Sequence, residues 1–232
     1  MVFKDELKKL NIACDDTVIM KFEKYFNRLI EVNEYMNLTA ITEREEVYIK
    51  HFLDSLTILK ALDTQKEFTL CDVGSGAGFP SIPLAIVCDN VDVTIIDALN
   101  KRIKFLNDLI EHLELDNAKA FHKRAEEYVK EKPQAFDVVT ARAVARLNVL
   151  AELCIPLVKV GGLFIAMKGQ SGKEELIEAK NAIFILGGEI VDTIEFELPN
   201  DSGKREILII KKVKNTPAKY PRSFARIKEK PL

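Results

Sequence analysis

The chain has 232 residues, which at roughly 100 to 200 residues per domain leaves room for one large domain or one domain with a small appendage. With 47% hydrophobic and 30% charged residues and only 10 Gly and 8 Pro, it falls among ordinary globular proteins and outside the disordered and fibrous classes. Lys and Arg total 34 against 36 Asp and Glu, a net charge of -2, so a uniformly cationic surface is excluded and any basic site must be local.

The first residues, MVFKDELKKLNIACDD, interrupt their few apolar positions with charges, which is not the pattern of a signal peptide, and no apolar run approaches the roughly 18 residues of a membrane span. Cys14, Cys71, Cys88 and Cys154 lie far apart, without a CxxC pair or a His at ligand spacing. Neither a disulfide framework nor a metal site is expected, and a cytoplasmic protein without membrane contact is.

From Asp15 to about Leu62 the apolar residues recur at helical spacing, through Val18, Ile19, Phe22, Phe26, Leu29 and Ile30 and then Val47, Ile49, Phe52, Leu56 and Leu59. The break EYMNLTAITERE places Thr42 three residues before Glu45, a capping-box spacing that predicts a new helix start. Residues 1–65 are thus read as an N-terminal helical region, with a boundary near Asp63 to Glu67. Beyond it, short β-rich runs alternate with helical stretches, the signature of a parallel sheet covered by helices. Strands are predicted at Phe68 to Val73, Val91 to Asp97, Ala118 to His122, Phe136 to Ala141 and Leu163 to Lys168, with helices starting at Ser81, Lys101, Ala125, Leu147 and Glu174. EIVDTIEFEL and REILIIKKV, joined by PNDSGK, must then lie antiparallel, so the sheet closes on a hairpin. This α/β domain is assigned residues 66–213. Residues 214–232 form a basic tail expected to be extended: from Lys211 to Leu232 there are eight Lys or Arg against one Glu, with three Pro.

The segment TLCDVGSGAGFPSIP, Thr69 to Pro83, carries the clearest chemical signal. A strand ends at Asp72, and Gly74, Gly76 and Gly78 alternate before the helix at Ser81. Glycines let the backbone turn sharply and approach a ligand, while the helix start offers free N–H groups. A dinucleotide site would read GxGxxG. Here the spacing is GxGxG, and a carboxylate at Asp72 would repel phosphate and attract an ammonium group. An amino-acid-bearing cofactor such as S-adenosylmethionine fits. Asp97, 23 residues after Gly74, closes the second strand where a carboxylate can accept hydrogen bonds from ribose hydroxyls.

These residues resemble class I S-adenosylmethionine-dependent methyltransferases, and more narrowly the RsmG family, also called glucose-inhibited division protein B, which methylates ring nitrogen 7 of a guanine in bacterial 16S ribosomal RNA. The resemblance rests on NLTAI (Asn37 to Ile41), HFLDSL (His51 to Leu56), DVGSGAGFPSIPLAI (Asp72 to Ile86), KRIKFL (Lys101 to Leu106), ARAVA (Ala141 to Ala145), MKG (Met167 to Gly169) and YPR (Tyr220 to Arg222), which occur in the family's order along nearly the whole chain. Ser81 stands where the family pattern has Gly, and Ala98 where it usually has Ser. What the resemblance implies is a Rossmann-like, seven-stranded, mostly parallel sheet with a terminal antiparallel hairpin. It also implies cofactor contacts at Gly74, Phe79, Ala125, Glu126 and Arg142, and as substrate the small-subunit RNA or the assembling small subunit.

The sequence offers no amine-holding (N/D)PP(Y/F) loop after the fourth strand and no cysteine nucleophile. A ring nitrogen with a free lone pair needs neither, only alignment, so no catalytic acid or base is assigned. Arg124, Arg142 and Lys168 follow the ends of strands three, four and five, and Arg205 opens the reversed last strand on the same edge. With Arg222 and the rest of the tail they are the candidate RNA contacts. His51 and Asp54, at i and i+3, are read as a hydrogen-bonded surface pair tying the helical region to the main domain. The alternatives are a small-molecule methyltransferase and a non-catalytic RNA-binding assembly factor that retains the cofactor.

Overall fold

The computed structural model describes residues 2–232. It opens on two helices, α1 (Val2–Lys9) and α2 (Asp16–Met36). Asp15 caps α2 by accepting the Val18 N–H at 2.8 Å, and Asn37, at a left-handed φ of 52°, stops it. A short α3 (Arg44–Val47), a π-helical turn (Tyr48–Leu53), α4 (Asp54–Leu56) and a 3-10 turn (Thr57–Ala61) follow. The capping box expected at Thr42 does not form: Glu43 occupies the N-cap without a side-chain bond. Arg44 and Tyr48 instead bond Glu23 of α2, so a cross-helix ion pair fixes this turn.

The strands are β1 (Phe68–Val73), β2 (Val91–Asp97), β3 (Ala118–His122), β4 (Phe136–Arg142), β5 (Val158–Lys168), β6 (Gly188–Glu197) and β7 (Lys204–Lys212). Between them run α5 (Ser81–Val87), α6 (Asn100–His112), α7 (Ala125–Glu131), α8 (Leu147–Cys154) and α9 (Gly172–Ile185), and α10 (Phe224–Glu229) lies in the tail. β5 begins five residues before its expected start at Leu163. Its early part is a glycine bend in which an added Cβ on Gly162 would lie 2.5 Å from the Asp137 carbonyl of β4. Only glycine permits that approach.

The sheet order is β3-β2-β1-β4-β5-β7-β6. β1 to β5 are parallel, and β7 runs antiparallel to both β5 and β6. The order reverses at β1, so the glycine loop after it sits at the topological switch point, where open α/β sheets bind ligands. Lys168 at the end of β5 pairs with Glu206 at the start of β7. The first residues of β7 therefore share the edge formed by the ends of the parallel strands.

Side chains alternate across the sheet and divide the core into two layers. Leu70, Val93, Ile95, Val138, Ile165 and Ile209 face α5, α6 and the N-terminal helices. Cys71, Val139, Ala141, Phe164, Ala166 and Leu208 face α7, α8, α9 and the tail. Phe52, from the π-helical turn, is the centre of an aromatic cluster, with Phe22, Tyr25 and Tyr48 at ring distances of 4.9 to 5.1 Å. The N-terminal helices thus supply the outer wall of one core layer.

The tail is not extended. Arg222 folds against α8, where its Nη2 meets the Glu152 carboxylate at 2.6 Å and its backbone N–H donates to the same group at 2.8 Å. Glu152 is fully buried, as is Ile227 of α10. A buried carboxylate demands a partner, and Arg222 is that partner, where the sequence suggested a solvated contact for RNA phosphate. Arg222→Ala would leave Glu152 buried and uncompensated, and should lower stability by about 3 kcal/mol in urea unfolding. Replacing both residues by leucine should restore most of the loss.

Candidate active site

Two hollows open at the edge where the parallel strands end. The first, of about 380 Å³, is lined by Gly74 of the glycine loop, Asp97, Ala98 and Leu99 after β2, Arg124, Ala125 and Glu126 after β3, Leu153 of α8 and Phe224 of α10. The second, of about 600 Å³, is lined by Lys50, His51 and Asp54 from the π-helical turn and the start of α4, by Arg142 and Arg146, and by Lys168, Arg205 and Glu206. Ala143 and Val144 border both. This loop is the partition between them.

Local chemistry fixes the first hollow. Asp97 is buried and accepts the Leu99 N–H at 2.8 Å and the Gly76 N–H at 3.3 Å, which ties the glycine loop to the end of β2. Gly74, at φ 76°, lies against the partition: a Cβ there would meet Val144 Cγ2 at 2.9 Å. Gly78 faces inward, where a Cβ would strike Ile82 and the Tyr25 hydroxyl, while Gly76, at φ 64°, has open space before it. The three glycines therefore answer to three different constraints: the partition, the core and the turn itself.

Asp72 does not line the hollow. It lies wholly buried beneath the loop, and neither carboxylate oxygen has a hydrogen-bond partner. The Ser75 and Ser81 hydroxyls nearby bond each other at 3.0 Å. Burial pushes the Asp72 pKa from its ordinary 3.8 up to about 6, against the opposing pull of those hydroxyls and of Arg142. A hollow that sets the Asp97 and Glu126 carboxylates beside Leu99, Leu153 and Phe224, with the Asp72 carboxylate buried beneath its loop, suits a ligand with hydroxyls, a flat ring and a cationic group. The residues present thus fit S-adenosylmethionine, and the volume lies within the roughly 300 to 1,000 Å³ of small-molecule sites.

In the second hollow Asp54 is the organising group. Its Oδ2 accepts Arg142 Nη1 at 2.9 Å and its Oδ1 accepts Arg205 Nε at 3.0 Å, with the carboxylate 8% exposed. The His51 and Asp54 side chains do not bond each other, contrary to the surface pair read from their spacing; the Asp54 backbone N–H donates to the His51 carbonyl. Its Nε2 lies 2.7 Å from Thr39 Oγ1, its Nδ1 lies 3.1 Å from the Lys50 carbonyl, and its ring stacks on Phe79 at 4.6 Å. The carbonyl can only accept, so Nδ1 carries the proton and Nε2 accepts from Thr39. Burial, reinforced by the Arg142 charge, lowers the His51 pKa from 6.5 to about 4. His51 is neutral at pH 7, with both ring nitrogens engaged.

Several sequence-selected residues lie elsewhere than expected. Phe79 lines neither hollow; it is buried under the Arg142 guanidinium, 4.9 Å from its ring, where it acts as a platform. Arg142 borders the second hollow and not the first. Arg124 sits on the first hollow, apart from Arg142, Lys168 and Arg205, and pairs with Glu126 at 2.9 Å. Lys168 is buried, its ammonium held by Glu175 and by the Ala145 carbonyl, both at 2.7 Å. It braces the partition loop and does not present a free charge. Sequence reasoning missed Lys50, Arg146, Leu153 and Phe224, and gave Asp54 the wrong partner. Polar residues interrupting the apolar HFLDSL helix were the one available signal for Asp54. Among the described residues no group of His, Cys, Asp and Glu is placed to hold a metal ion, and no helix is long and apolar enough to cross a membrane.

Comparison with known proteins gives a consistent picture. A family model described as rRNA small subunit methyltransferase G matches residues 18–206. Ribosomal RNA small subunit methyltransferase G of Staphylococcus saprophyticus is 54% identical over 228 residues, covering 98% of this chain and 95% of that protein. Its counterpart from Bacillus cereus is 52% identical over 222 residues, 95% of this chain and 93% of that one. Among solved structures, a mutant of the 16S rRNA (adenine(1408)-N(1))-methyltransferase from Catenulisporales acidiphilia superposes with a TM-score of 0.55 at 15% identity, over 67% of this chain and 94% of that one. That likeness is one of fold.

The two perturbed groups of the site make opposite contributions to stability. His51, depressed to about 4, contributes stability that is present above 6.5 and lost as pH falls through 4. Asp72, raised to about 6, contributes stability that is present below 3.8 and lost as pH rises through 6. Asp72→Asn should therefore be more stable than the parent at pH 7.5, by up to about 3 kcal/mol, with the difference closing toward pH 4. His51→Gln should gain on the parent as pH falls from 6.5 to 4. Urea unfolding of the cofactor-free proteins between pH 4 and 7.5 measures both trends.

Proposed function

The chain belongs to the rRNA small subunit methyltransferase G family, and from that premise we propose that it transfers a methyl group from S-adenosylmethionine to ring nitrogen 7 of a guanine in bacterial 16S ribosomal RNA. The observation that carries this reading is the pairing of the two hollows across Ala143 and Val144. The first sets the Asp97 and Glu126 carboxylates beside Leu99, Leu153 and Phe224, the second carries Arg142, Arg146 and Arg205, and one loop divides them. The first is assigned to the cofactor, with Gly74, Ala125 and Glu126 along its wall, Asp97 toward the ribose hydroxyls, and the Asp72 charge beneath the loop favouring the ammonium end. Gly76 and Gly78 shape the turn, and Phe79 acts through Arg142.

Guanine N7 carries a lone pair and no proton, so alignment replaces acid-base catalysis. S-adenosylmethionine supplies a sulfonium-bound methyl group, whose C–S electron pair returns to sulfur as the new N–C bond forms. His51, neutral, with its one proton on Nδ1 hydrogen-bonded to the Lys50 carbonyl and Nε2 engaged by Thr39, serves to stiffen the platform under Arg142. Arg142 and Arg205, aimed by one carboxylate, are assigned to guanine O6 and the flanking phosphates. Lys50 and Arg146 extend this rim. Their partners Glu46 and Glu178 are half exposed, and exposed pairs are worth only about 0 to 1 kcal/mol, so RNA phosphate can displace them. A cytoplasmic site of action, on free or assembling small subunits, follows from this substrate.

Incubating the protein with methyl-labelled S-adenosylmethionine and unmodified small subunits, then mapping the label, tests the reading. Label on N7 of one guanine supports it. Turnover without RNA would favour a small-molecule substrate, and cofactor binding without transfer would favour an assembly factor. Arg205→Ala should reduce methylation of subunits on the order of tenfold, the loss of one charge-assisted contact, while the calorimetric affinity for S-adenosylhomocysteine stays unchanged.

A further inference from the structure

The tail ends its path on the cofactor hollow. Phe224, the first residue of α10, contributes its side chain to the wall that also holds Asp97, Ala125 and Glu126. It lies 127 residues beyond Asp97 in the chain, yet its position is firmly set. Two residues before it Arg222 is clamped on the buried Glu152, and three residues after it Ile227 is fully buried. Arg222 Nη1 also donates to the Lys230 carbonyl at 3.0 Å, closing the segment on itself. A helix of six residues is too short to hold its shape alone, so these anchors determine where the Phe224 ring sits.

The ring is only partly buried. One neighbour is the Arg124 guanidinium, 5.4 Å from its centroid, and Arg124 in turn holds the Glu126 carboxylate at 2.9 Å. Arg124, Glu126 and Phe224 therefore form one connected face of the hollow. That face combines an aromatic ring with polar groups at its margin. Leu99, exposed despite its size, lines the same hollow. An aromatic ring left partly open in such a hollow suits a flat, nitrogen-rich ring.

On the cofactor assignment made above, we infer that the C-terminal segment is a working part of the cofactor site, in which Phe224 is a binding residue for the purine of S-adenosylmethionine and the Arg222–Glu152 pair is its positioning device. The tail then serves the methyl donor and not the RNA backbone. Its remaining charges, Lys228 and Lys230 among them, are peripheral to that role.

Isothermal titration of S-adenosylhomocysteine and of methylthioadenosine, which keeps the purine and lacks the amino-acid end, tests the assignment on the full-length protein. Phe224→Ala should weaken both ligands by a similar factor, on the order of tenfold, and Phe224→Tyr should retain parental affinity. In turnover the Ala variant should raise KM for S-adenosylmethionine and leave KM for small subunits unchanged. Thermal melts without ligand report folding, and should the Ala variant be unstable, Phe224→Leu supplies the same comparison with the bulk retained. Unchanged affinity for both ligands in a folded variant would overturn the inference while leaving the cofactor assignment intact, as would a loss confined to S-adenosylhomocysteine. A raised KM for subunits with unaltered cofactor binding would also overturn it, returning the tail to RNA. Failure of the parent to bind S-adenosylhomocysteine at all would remove both the inference and the assignment beneath it.

Discussion

The Asp54 carboxylate joins three parts of the chain that have no local reason to meet: the N-terminal helices, the end of β4 through Arg142, and the start of β7 through Arg205. Two guanidiniums at one rim would repel each other, and a buried carboxylate alone would be costly. Each arrangement becomes acceptable because of the other. Hydrogen bonds to charged groups contribute about 1.5 to 3 kcal/mol each, enough to hold both side chains against thermal disorder. The helical region is therefore more than a cover for one core layer. It supplies the carboxylate that orients Arg142 and Arg205, from the residue that follows the π-helical turn. π-bulges commonly occur at functional sites, and here the reason is geometric: the turn directs Phe52 into the core and His51 toward Phe79.

A second constraint lies at the partition. Ala143 adopts a φ of 55°, a left-handed conformation that costs a non-glycine residue about 1 to 2 kcal/mol. It is held by its surroundings: Lys168 grips the Ala145 carbonyl, and Glu175 accepts the Leu147 N–H at 2.7 Å. Val144 is thereby pressed toward Gly74. The loop that separates the two hollows is thus braced from the second by a lysine that sequence position alone would assign to phosphate. Backbone strain is thus concentrated where the two hollows meet.

The electrostatic design follows from the overall charge. At a net charge of -2 the chain cannot rely on a general attraction for polyanions, and it concentrates cations on one rim. Almost all of them are paired in the protein alone. The buried pairs, Arg142 and Arg205 with Asp54 and Lys168 with Glu175, fix geometry. The exposed ones, such as Arg146 with Glu178, leave charge that phosphate can claim.

Local sequence determined what depends on local sequence. The short β-rich runs gave the strands, the Gly74 to Gly78 spacing gave the loop, and the short PNDSGK turn made the last two strands antiparallel. From that reversal alone it followed that Arg205 starts on the edge where the other strands end. What the sequence could not state is which side chains meet across long separations, because those contacts depend on how layers pack. Asp54 finds Arg142 and Arg205 at separations of 88 and 151 residues. Arg222 finds Glu152 at 70. A basic tail reads as solvated until the tertiary fold supplies a buried carboxylate that needs a partner, and Phe79 reads as a pocket wall until Arg142 is seen to lie on it. The sequence by itself determined the sheet, its switch point and the class of ligand the glycine loop accepts, since these follow from backbone conformation and residue type. Only the tertiary structure decided which charges are free, which are locked and which distant ring completes the hollow, since burial and pairing are properties of the packed molecule and not of any segment of it.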